Sequence, residues 1–282
     1  MTASLRPRVM GIVNVTPDSF SDGGRFLDPR QGFEHARRLI AQGADILDIG
    51  GESTRPGAAP VSAEDEAARV LPLIEAIRAV SDIPISIDTM KPAVARAAVQ
   101  AGATIWNDVA ALRFSPDAPE VAADLGCEVV LMHMLGQPGN MQDEPRYDDV
   151  AAEVEAFLLA RAAAAMAAGV AREKIWLDPG IGFGKTLAHN LALLAALPRF
   201  VALGYPILLG ASRKRFIAGV DPSADQATDR LGGSRAAHLA GAAAGVAAVR
   251  VHDARETVQA LDVWAAIQAA AGTTVSDAAI PA

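Results

Sequence analysis

The residues Ile46-Leu47-Asp48-Ile49-Gly50-Gly51-Glu52-Ser53-Thr54-Arg55 form a short apolar run that ends in glycine and then in polar side chains. A short apolar run bounded by turn residues is typical of a buried β-strand. An Ala-rich segment that also carries Arg and Glu follows, which is typical of an amphipathic helix. We therefore interpret this stretch as a strand, a loop and the start of a helix, the repeating unit of α/β proteins.

The same unit recurs along the chain and gives eight candidate strands. The clearest helix between them is predicted over Asp148 to Ala168, because two aspartates stand near its positive end and Gly169 follows its last turn. Eight alternating units predict a closed parallel (β/α)8 barrel, the TIM barrel, and leave an open doubly wound sheet as the alternative. The candidate strands are Val9–Val15, Ile46–Ile49, Ile85–Ile87, Thr104–Trp106, Glu128–Met132, Ile175–Leu177, Ile207–Leu209 and Ala247–Val251.

Length and composition agree with a single α/β barrel domain over residues 1–282. Barrels of this length are ordinary, and 51% hydrophobic with 21% charged residues is enough to build a large core. No linker or low-complexity tract interrupts the repeat, and we expect a loose tail from about residue 272.

Charge and cysteine content narrow the class of protein. A net charge of −8 argues against a nucleic-acid or anionic-membrane surface, so any anion site should be local. Cys127 is the only cysteine, which excludes an internal disulfide and fits a reducing compartment. The first 15 residues hold too short an apolar run for a signal peptide, and residues 236–249 are too few to span a bilayer. We expect a soluble cytoplasmic protein.

Polar side chains follow or close each candidate strand. In a parallel barrel these positions meet at the carboxyl-terminal face, where the βα loops build active sites. Any one of them could instead be a helix cap or a turn former, but eight such coincidences favour a site. The residues are Asn14, the segment 50–55, Asp88, Asn107, His133, Asp178, the segment 212–214, Arg250 and His252.

We consider two motifs as possible phosphate-binding sites. Gly182 to Thr186 resembles the end of a Walker A loop, but Pro179 stands where that motif needs glycine, so the P-loop reading fails. A glycine-rich turn there could bring the backbone close to a planar ligand with Phe183 stacked on it, and a core role for Phe183 is equally open. Residues 212–215 and 250–252 follow the seventh and eighth candidate strands, where barrels often bind phosphate.

Within this basic cluster the individual residues differ. The position of Arg213, Lys214, Arg250 and His252 favours an anion site, whereas Arg215 alone is expected to be solvated. None of the five histidines has the spacing of a zinc site. The amide oxygen of Asn14 could bind a hard cation such as Mg²⁺, which takes few protein ligands when phosphate and water complete its shell.

Two glycine-rich, largely polar loops follow the first two candidate strands, over residues 16–24 and 50–60. Such segments suit either mobile lids or ordinary surface turns. Phe20 and Arg55, set among glycines, favour the lid interpretation.

Taken together, these motifs resemble those of the dihydropteroate synthase family over nearly the whole length of the chain. The two longest signatures are MGIVNVTPDSFSDGG over residues 10–24 and DIGGESTRPG over residues 48–57. Shorter matches follow in order at residues 87–89, 107–108, 178–185, 212–214 and 250–252. The resemblance implies condensation of 6-hydroxymethyl-7,8-dihydropterin pyrophosphate with p-aminobenzoate, with release of pyrophosphate, in a homodimer that is a target of sulfonamides.

The resemblance also implies a role for each matching residue of the pterin and pyrophosphate sites. The pterin would be held by Asp88, Asn107, Asp178 and Lys214, while Mg²⁺ and pyrophosphate would be held by Asn14, Arg250 and His252, with Ser212 beside them.

The p-aminobenzoate site would be formed by Thr54, Arg55, Phe183 and the two loops, with Phe20 and Asp22 in the first of them. The residue after Lys214 is often serine in the family and is thought to help bind the p-aminobenzoate carboxylate. Here it is Arg215, so this position is not included in the predicted site. An arginine could still pair with a carboxylate.

A dissociative reaction fits these residue types, because the electron-rich pterin can share the positive charge left on its methylene carbon. Magnesium, Arg250 and His252 would stabilise the charge on the leaving pyrophosphate. The arylamine is neutral near pH 7 and needs no strong base. The alternatives are a pterin-binding methyltransferase, which has no use for the pyrophosphate motifs, and a catalytically silent pterin-binding paralogue.

Overall fold

Eight parallel strands form one sheet in the order β6-β5-β4-β3-β2-β1-β8-β7 in the computed structural model, which describes residues 6–16, 29–53, 59–136 and 144–272. A bridge between Leu177 and Ile207 joins the last strand of this order to the first, so the sheet curls into a nearly closed barrel and the predicted TIM barrel is confirmed. The strands are β1 (Arg8–Asn14), β2 (Ile46–Gly50), β3 (Ile85–Asp88), β4 (Ile105–Asp108), β5 (Glu128–Met132), β6 (Ile175–Asp178), β7 (Leu208–Leu209) and β8 (Ala248–Val251).

Helices follow the strands and cover the outside of the barrel. They are α1 (Pro29–Ala41), α2 (Ala63–Arg78), α3 (Pro92–Gln100), α4 (Ala118–Leu125), α5 (Val150–Ala167), α6 (Leu187–Ala195), α7 (Leu197–Val201), α8 (Phe216–Val220), α9 (Leu231–Ala244) and α10 (Ala254–Gly272). Among the described residues, none of these helices is both long enough and apolar enough to cross a bilayer. Most of the tail expected from about residue 272 lies outside the described residues.

The helix predicted over Asp148 to Ala168 is α5, and its true start shows what the aspartates do. Asp149 is the N-cap, where its carboxylate accepts hydrogen bonds of 3.0 Å from the backbone N–H groups of Ala151 and Ala152. A side chain that satisfies these two donors belongs just outside the helix. The helix therefore begins two residues later than predicted.

Side chains fill the half of the barrel interior that lies at the amino-terminal ends of the strands. One apolar layer consists of Met10, Ile46, Ile105, Val130, Trp176, Leu208 and Ala248. Beneath it, the Arg8 guanidinium lies 4.5 Å from the ring centroid of Trp176, and the Trp176 indole N–H donates to Glu128. Because this end is plugged, a ligand can enter only from the carboxyl-terminal end of the strands.

Candidate functional site

A polar layer lies directly above the apolar layer inside the barrel. Side chains alternate along a strand, so the residue two positions after an inward-facing residue also faces inward. That rule takes Ile46 to Asp48, Ile105 to Asn107, Trp176 to Asp178 and Ala248 to Arg250. Asp88 pairs in register with Asn107 and completes the layer. We call Asp48, Asp88, Asn107, Asp178 and Arg250 the polar layer.

Arg250 joins two carboxylates of this layer. Its Nε donates to Asp48 Oδ2 at 2.5 Å, and its Nη2 donates to Asp88 Oδ2 at 2.7 Å. The Asp48 side chain is fully buried and those of Asp88 and Arg250 are largely so. Burial raises the pKa of Asp88 to about 7 even though Arg250 opposes this. The layer holds three carboxylates and one guanidinium, so it has hydrogen-bond acceptors to spare.

Asn107 is oriented by Asp48. Its Nδ2 lies 3.4 and 3.3 Å from the two carboxylate oxygens of Asp48, which assigns the amide nitrogen to that side. The amide oxygen then faces away from Asp48 and can accept a hydrogen bond from a ligand.

Asp178 closes β6 and has one oxygen fixed by the backbone. Its Oδ1 accepts from the Gly180 N–H at 2.7 Å, while Oδ2 faces Gly210, where an added Cβ would lie 3.7 Å away. Burial raises the pKa of Asp178 to about 6, and the Gly180 hydrogen bond and the charges of Lys214 and Lys185 lower it. Near pH 7 the carboxylate is therefore largely ionised and able to accept a pair of donors.

Phe183 packs in the way expected for a core side chain, and its stacking on a planar ligand stays a prediction. It packs against the small apolar cluster of Val109, Met132 and Met134. On the ring itself, Lys214 Nζ lies 3.9 Å from the centroid, a cation-π contact. The ring is thus held by packing on one part and meets the predicted pterin-binding lysine on another.

Ser212 and His252 form a hydrogen-bonded pair after β7 and β8. Ser212 Oγ accepts from the His252 backbone N–H at 3.2 Å and lies 3.0 Å from His252 Nδ1. Since the hydroxyl can donate to Nδ1, we assign the ring proton to Nε2, which then is a donor for a ligand. Burial, and then the charges of Arg250 and Arg213, lower the pKa of His252 to about 3, so the ring is neutral without an anion.

The basic residues after β7 separate in space. Arg213 has a left-handed backbone with φ 57°, and its Nε donates to Asp253 Oδ2 at 2.9 Å with a second, shorter contact to the same carboxylate. Its charge is therefore balanced within the protein, in contrast to the anion role favoured for it. Arg215 is exposed at the start of α8, as expected.

Asn14 ends β1 beside Gly50, its partner in register. A Cβ added at Gly50 would stand 3.5 Å from Asn14 Oδ1 and 3.6 Å from Asp88 Cβ, so glycine keeps the space beside both side chains open. No group of three or more His, Cys, Asp or Glu residues that could hold a metal occurs within the described ranges. A cation at Asn14 would therefore take most of its ligands from phosphate and water, the mode that suits Mg²⁺.

Four predicted site residues, Phe20, Asp22, Thr54 and Arg55, lie outside the described residues. Conversely, the structure places in the site one residue that was not predicted, Asp48. It stands in the middle of an apolar run, and the signal that could have found it is its spacing of two from the inward-facing Ile46.

Known proteins resemble this chain in sequence and in fold. Residues 10–252 match the family model described as pterin binding enzyme. The dihydropteroate synthase of Escherichia coli K12 is 49% identical over 260 residues, which are 91% of this chain and 90% of that protein. A Xanthomonas albilineans dihydropteroate synthase structure with 4-aminobenzoic acid shares 53% identity and a TM-score of 0.88, covering 94% of both chains. A second structure of the X. albilineans enzyme, with 7,8-dihydropteroate, shares 50% identity and a TM-score of 0.85 over 94% of each chain.

Proposed function

This chain belongs to the dihydropteroate synthases of the pterin-binding enzyme family, and from this premise we propose the following course for its reaction. The enzyme is a transferase of folate biosynthesis. It condenses 6-hydroxymethyl-7,8-dihydropterin pyrophosphate with p-aminobenzoate to give 7,8-dihydropteroate and pyrophosphate. The observation that carries the assignment of its site is the acceptor-rich polar layer above the plugged half of the barrel.

The pterin binds in the polar layer. A pterin edge carries adjacent N–H donors, and an ionised carboxylate accepts such a pair as it does the two N–H groups of a guanidinium. Asp178 is placed for this, because the backbone fixes one of its oxygens and it stands at the open end of β6. Asn107 and Asp88 face the same space from β4 and β3 and complete the recognition of the ring.

Pyrophosphate departs at the ends of β7 and β8. The bond between the pterin methylene carbon and the pyrophosphate oxygen breaks, its electron pair leaves with the oxygen, and the pterin ring shares the positive charge. His252 Nε2–H and Lys214 lie at this end as donors, and the Ser212 hydroxyl orients the His252 ring. Donors that are already in place when charge develops lower the barrier. The neutral amine of p-aminobenzoate then attacks the carbon and loses its extra proton to solvent.

Arg250 contributes through the polar layer. Its guanidinium is shared between Asp48 and Asp88 in this structure, so its first effect is to hold these carboxylates in place. Its positive charge lowers the pKa of His252, which shows that it reaches the end of β8. The same charge would attract an anion bound there.

We include Mg²⁺ in the proposal as the partner of pyrophosphate. Asn14 would supply one amide oxygen, and the space beside Gly50 leaves room for the phosphate oxygens that complete the shell. When bound, the ion neutralises part of the charge of the leaving group.

The p-aminobenzoate pocket is proposed from Phe183 together with Thr54, Arg55, Phe20 and Asp22, the last four of which are assigned from sequence motifs alone. A homodimer and a cytoplasmic location complete the proposal; the first rests on the sequence resemblance and the second on the cysteine content and apolar pattern of the sequence.

Purified protein should release pyrophosphate from the pterin substrate only when p-aminobenzoate is added, and 7,8-dihydropteroate should appear in equal amount. A pterin methyltransferase or a silent paralogue would release none. Release of pyrophosphate without p-aminobenzoate would indicate a hydrolase and would contradict the proposal.

A further inference from the structure

Lys185 is a buried lysine without a role in the site proposed above. Its side chain is almost fully buried, and its Nζ lies 2.9 Å from the carbonyl oxygens of both Gly180 and Phe183. The same nitrogen lies 3.0 Å from His133 Nδ1 and 3.3 Å from the His133 carbonyl oxygen. Because His133 has its pKa lowered to about 3 by burial and by Lys185, its ring is neutral and Nδ1 is an acceptor. An ammonium group is thus enclosed by acceptors of two different loops.

These contacts shape the glycine-rich loop after β6. Gly180, Gly182 and Gly184 have left-handed backbones with φ of 69°, 83° and 64°. At Gly180 an added Cβ would stand 1.9 Å from the His133 carbonyl oxygen, so the loop lies directly against the segment after β5. Only glycine tolerates both the conformation and the approach.

Neutral hydrogen bonds secure other points of the same loop. The Tyr147 hydroxyl donates to the Gly184 carbonyl at 2.9 Å, and the Gly182 N–H donates to Asn190 Oδ1 at 2.6 Å. Lys185 differs from Tyr147 and Asn190 in two ways. It is a cation, and it donates to the two loop residues that contact the proposed ligand-binding side chains.

The first of these residues is Gly180, which links Lys185 to Asp178. Its N–H donates to Asp178 Oδ1 while its carbonyl oxygen accepts from Lys185. The second is Phe183, whose carbonyl oxygen accepts from Lys185 and whose ring meets Lys214. One ammonium group therefore fixes the backbone that positions both the Asp178 carboxylate and the Phe183 ring.

We propose that Lys185 is a positioning residue for both substrates: its enclosed ammonium holds the Gly180–Phe183 turn in place and, through the Gly180 backbone, holds the Asp178 carboxylate in position for the pterin. The inference rests on the proposed role of Asp178. Electrostatics agrees with it, because Lys185 is among the charges that lower the pKa of Asp178, and Asp178 in turn opposes the burial that lowers the pKa of Lys185 to about 7.

Two substitutions separate the charge from the hydrogen bonds. Lys185→Gln keeps a donor but removes the charge, whereas Lys185→Met removes both. Lys174→Met is the matched control, because Lys174 stands just before β6, at the opposite end of the same strand, and donates to the Gly126 carbonyl. Circular dichroism and thermal unfolding establish that each variant is folded.

Calorimetric binding of 6-hydroxymethyl-7,8-dihydropterin is measured at pH values on both sides of about 6, the pKa of Asp178. Removing a nearby positive charge raises a carboxyl pKa, so both Lys185 variants should need a higher pH to reach half of their maximal affinity. Wild type and Lys185→Gln should converge above about pH 8, where Lys185, with its pKa of about 7, is already neutral. Lys185→Met should in addition raise the KM for p-aminobenzoate about tenfold at every pH, because the backbone carbonyls of Gly180, Phe183 and His133 lose their donor.

An unshifted pH profile in folded Lys185→Gln, or an equal shift in Lys174→Met, would overturn the inference. Asp178→Ala separates this failure from that of the proposed site. If Asp178→Ala loses pterin binding while the Lys185 profiles match wild type, only the role of Lys185 is wrong. If Asp178→Ala binds pterin normally, both fail.

Discussion

The two ends of the barrel interior differ in how their charges are matched. At the closed end, Arg8 lies over Trp176, whose indole N–H donates to Glu128, so one cation and one anion share a single aromatic partner. At the open end, the polar layer holds three carboxylates and one arginine, which donates to only two of them, Asp48 and Asp88. A balanced arrangement stabilises the fold, whereas an excess of buried acceptors costs free energy that a ligand with donors can recover. The excess of buried acceptors therefore identifies the carboxyl-terminal end of the barrel as the ligand-binding end.

The largest effect is expected where the open end meets the pterin. Asp178→Ala removes the carboxylate that accepts paired donors and should lower pterin affinity about a hundredfold or more, since charge-assisted hydrogen bonds are lost in a buried site. Calorimetry with 6-hydroxymethyl-7,8-dihydropterin measures it. The matched change at the closed end, Glu128→Ala, should leave pterin affinity as it is. If the two variants lose equal affinity, the loss reflects the barrel as a whole and the distinction between its ends is wrong.

A second prediction separates two residues that both act on pyrophosphate. Removing one preorganised donor typically costs about a hundredfold in turnover, and His252→Ala should show this loss with normal binding of the free hydroxymethyl pterin. Arg250→Ala should lose turnover and also pterin affinity, because Asp48 and Asp88 are left without their shared cation. Steady-state kinetics and pterin calorimetry on both variants test this. Normal pterin affinity in Arg250→Ala would show that the polar layer does not depend on the guanidinium.

These predictions also show what the sequence could and could not reveal. The succession of strands and helices and the place of Asp88, Asn107 and Asp178 at the carboxyl-terminal face could be predicted, because the βα repeat is a local property of the chain. The last residue of several strands could not: β3 and β6 extend one residue further than predicted, to Asp88 and Asp178. The pairing of Arg250 with Asp48 could not, since it joins residues 202 positions apart and depends on how the barrel closes.

Neighbouring residues after β7 illustrate the same limit. Arg213 and Lys214 look alike in a basic run, but a left-handed backbone at Arg213 directs it to Asp253, while Lys214 lies on Phe183. A positive φ at a non-glycine residue is uncommon and has no dependable sequence signal. Lys185 was hidden for a different reason: its partners are mostly backbone carbonyls, which every sequence contains.

A third prediction concerns the closed end by itself. Arg8→Ala removes the cation over Trp176 and should lower the free energy of unfolding by about 1 to 2 kcal/mol, the range of a partly buried cation-π contact with its packing. Chemical denaturation measures the loss, and pterin affinity should equal that of the wild type. Reduced pterin affinity at unchanged stability would mean that the plug is coupled to the polar layer across the apolar layer.

The smallest effect is a proton taken up at the open end when pyrophosphate binds. His252 has its pKa lowered to about 3 in the absence of an anion, mainly by burial, with Arg250 and Arg213 adding to it. An anion beside the ring favours the protonated form and raises that pKa toward or above the ordinary value of about 6.5.

Between these two values the bound state holds more protons than the free state, so binding takes up a fraction of a proton and the affinity for pyrophosphate increases as the pH falls through this window. Calorimetry with magnesium pyrophosphate, repeated in buffers of different ionisation enthalpy near pH 6, measures the uptake. Pyrophosphate also titrates in this range, but its own contribution cancels when wild type is compared with His252→Gln. The difference between the two proteins should be a positive fraction of a proton that vanishes well above pH 7. Equal uptake by both would mean that His252 stays neutral in the complex and acts through Nε2–H alone, as a donor without a charge.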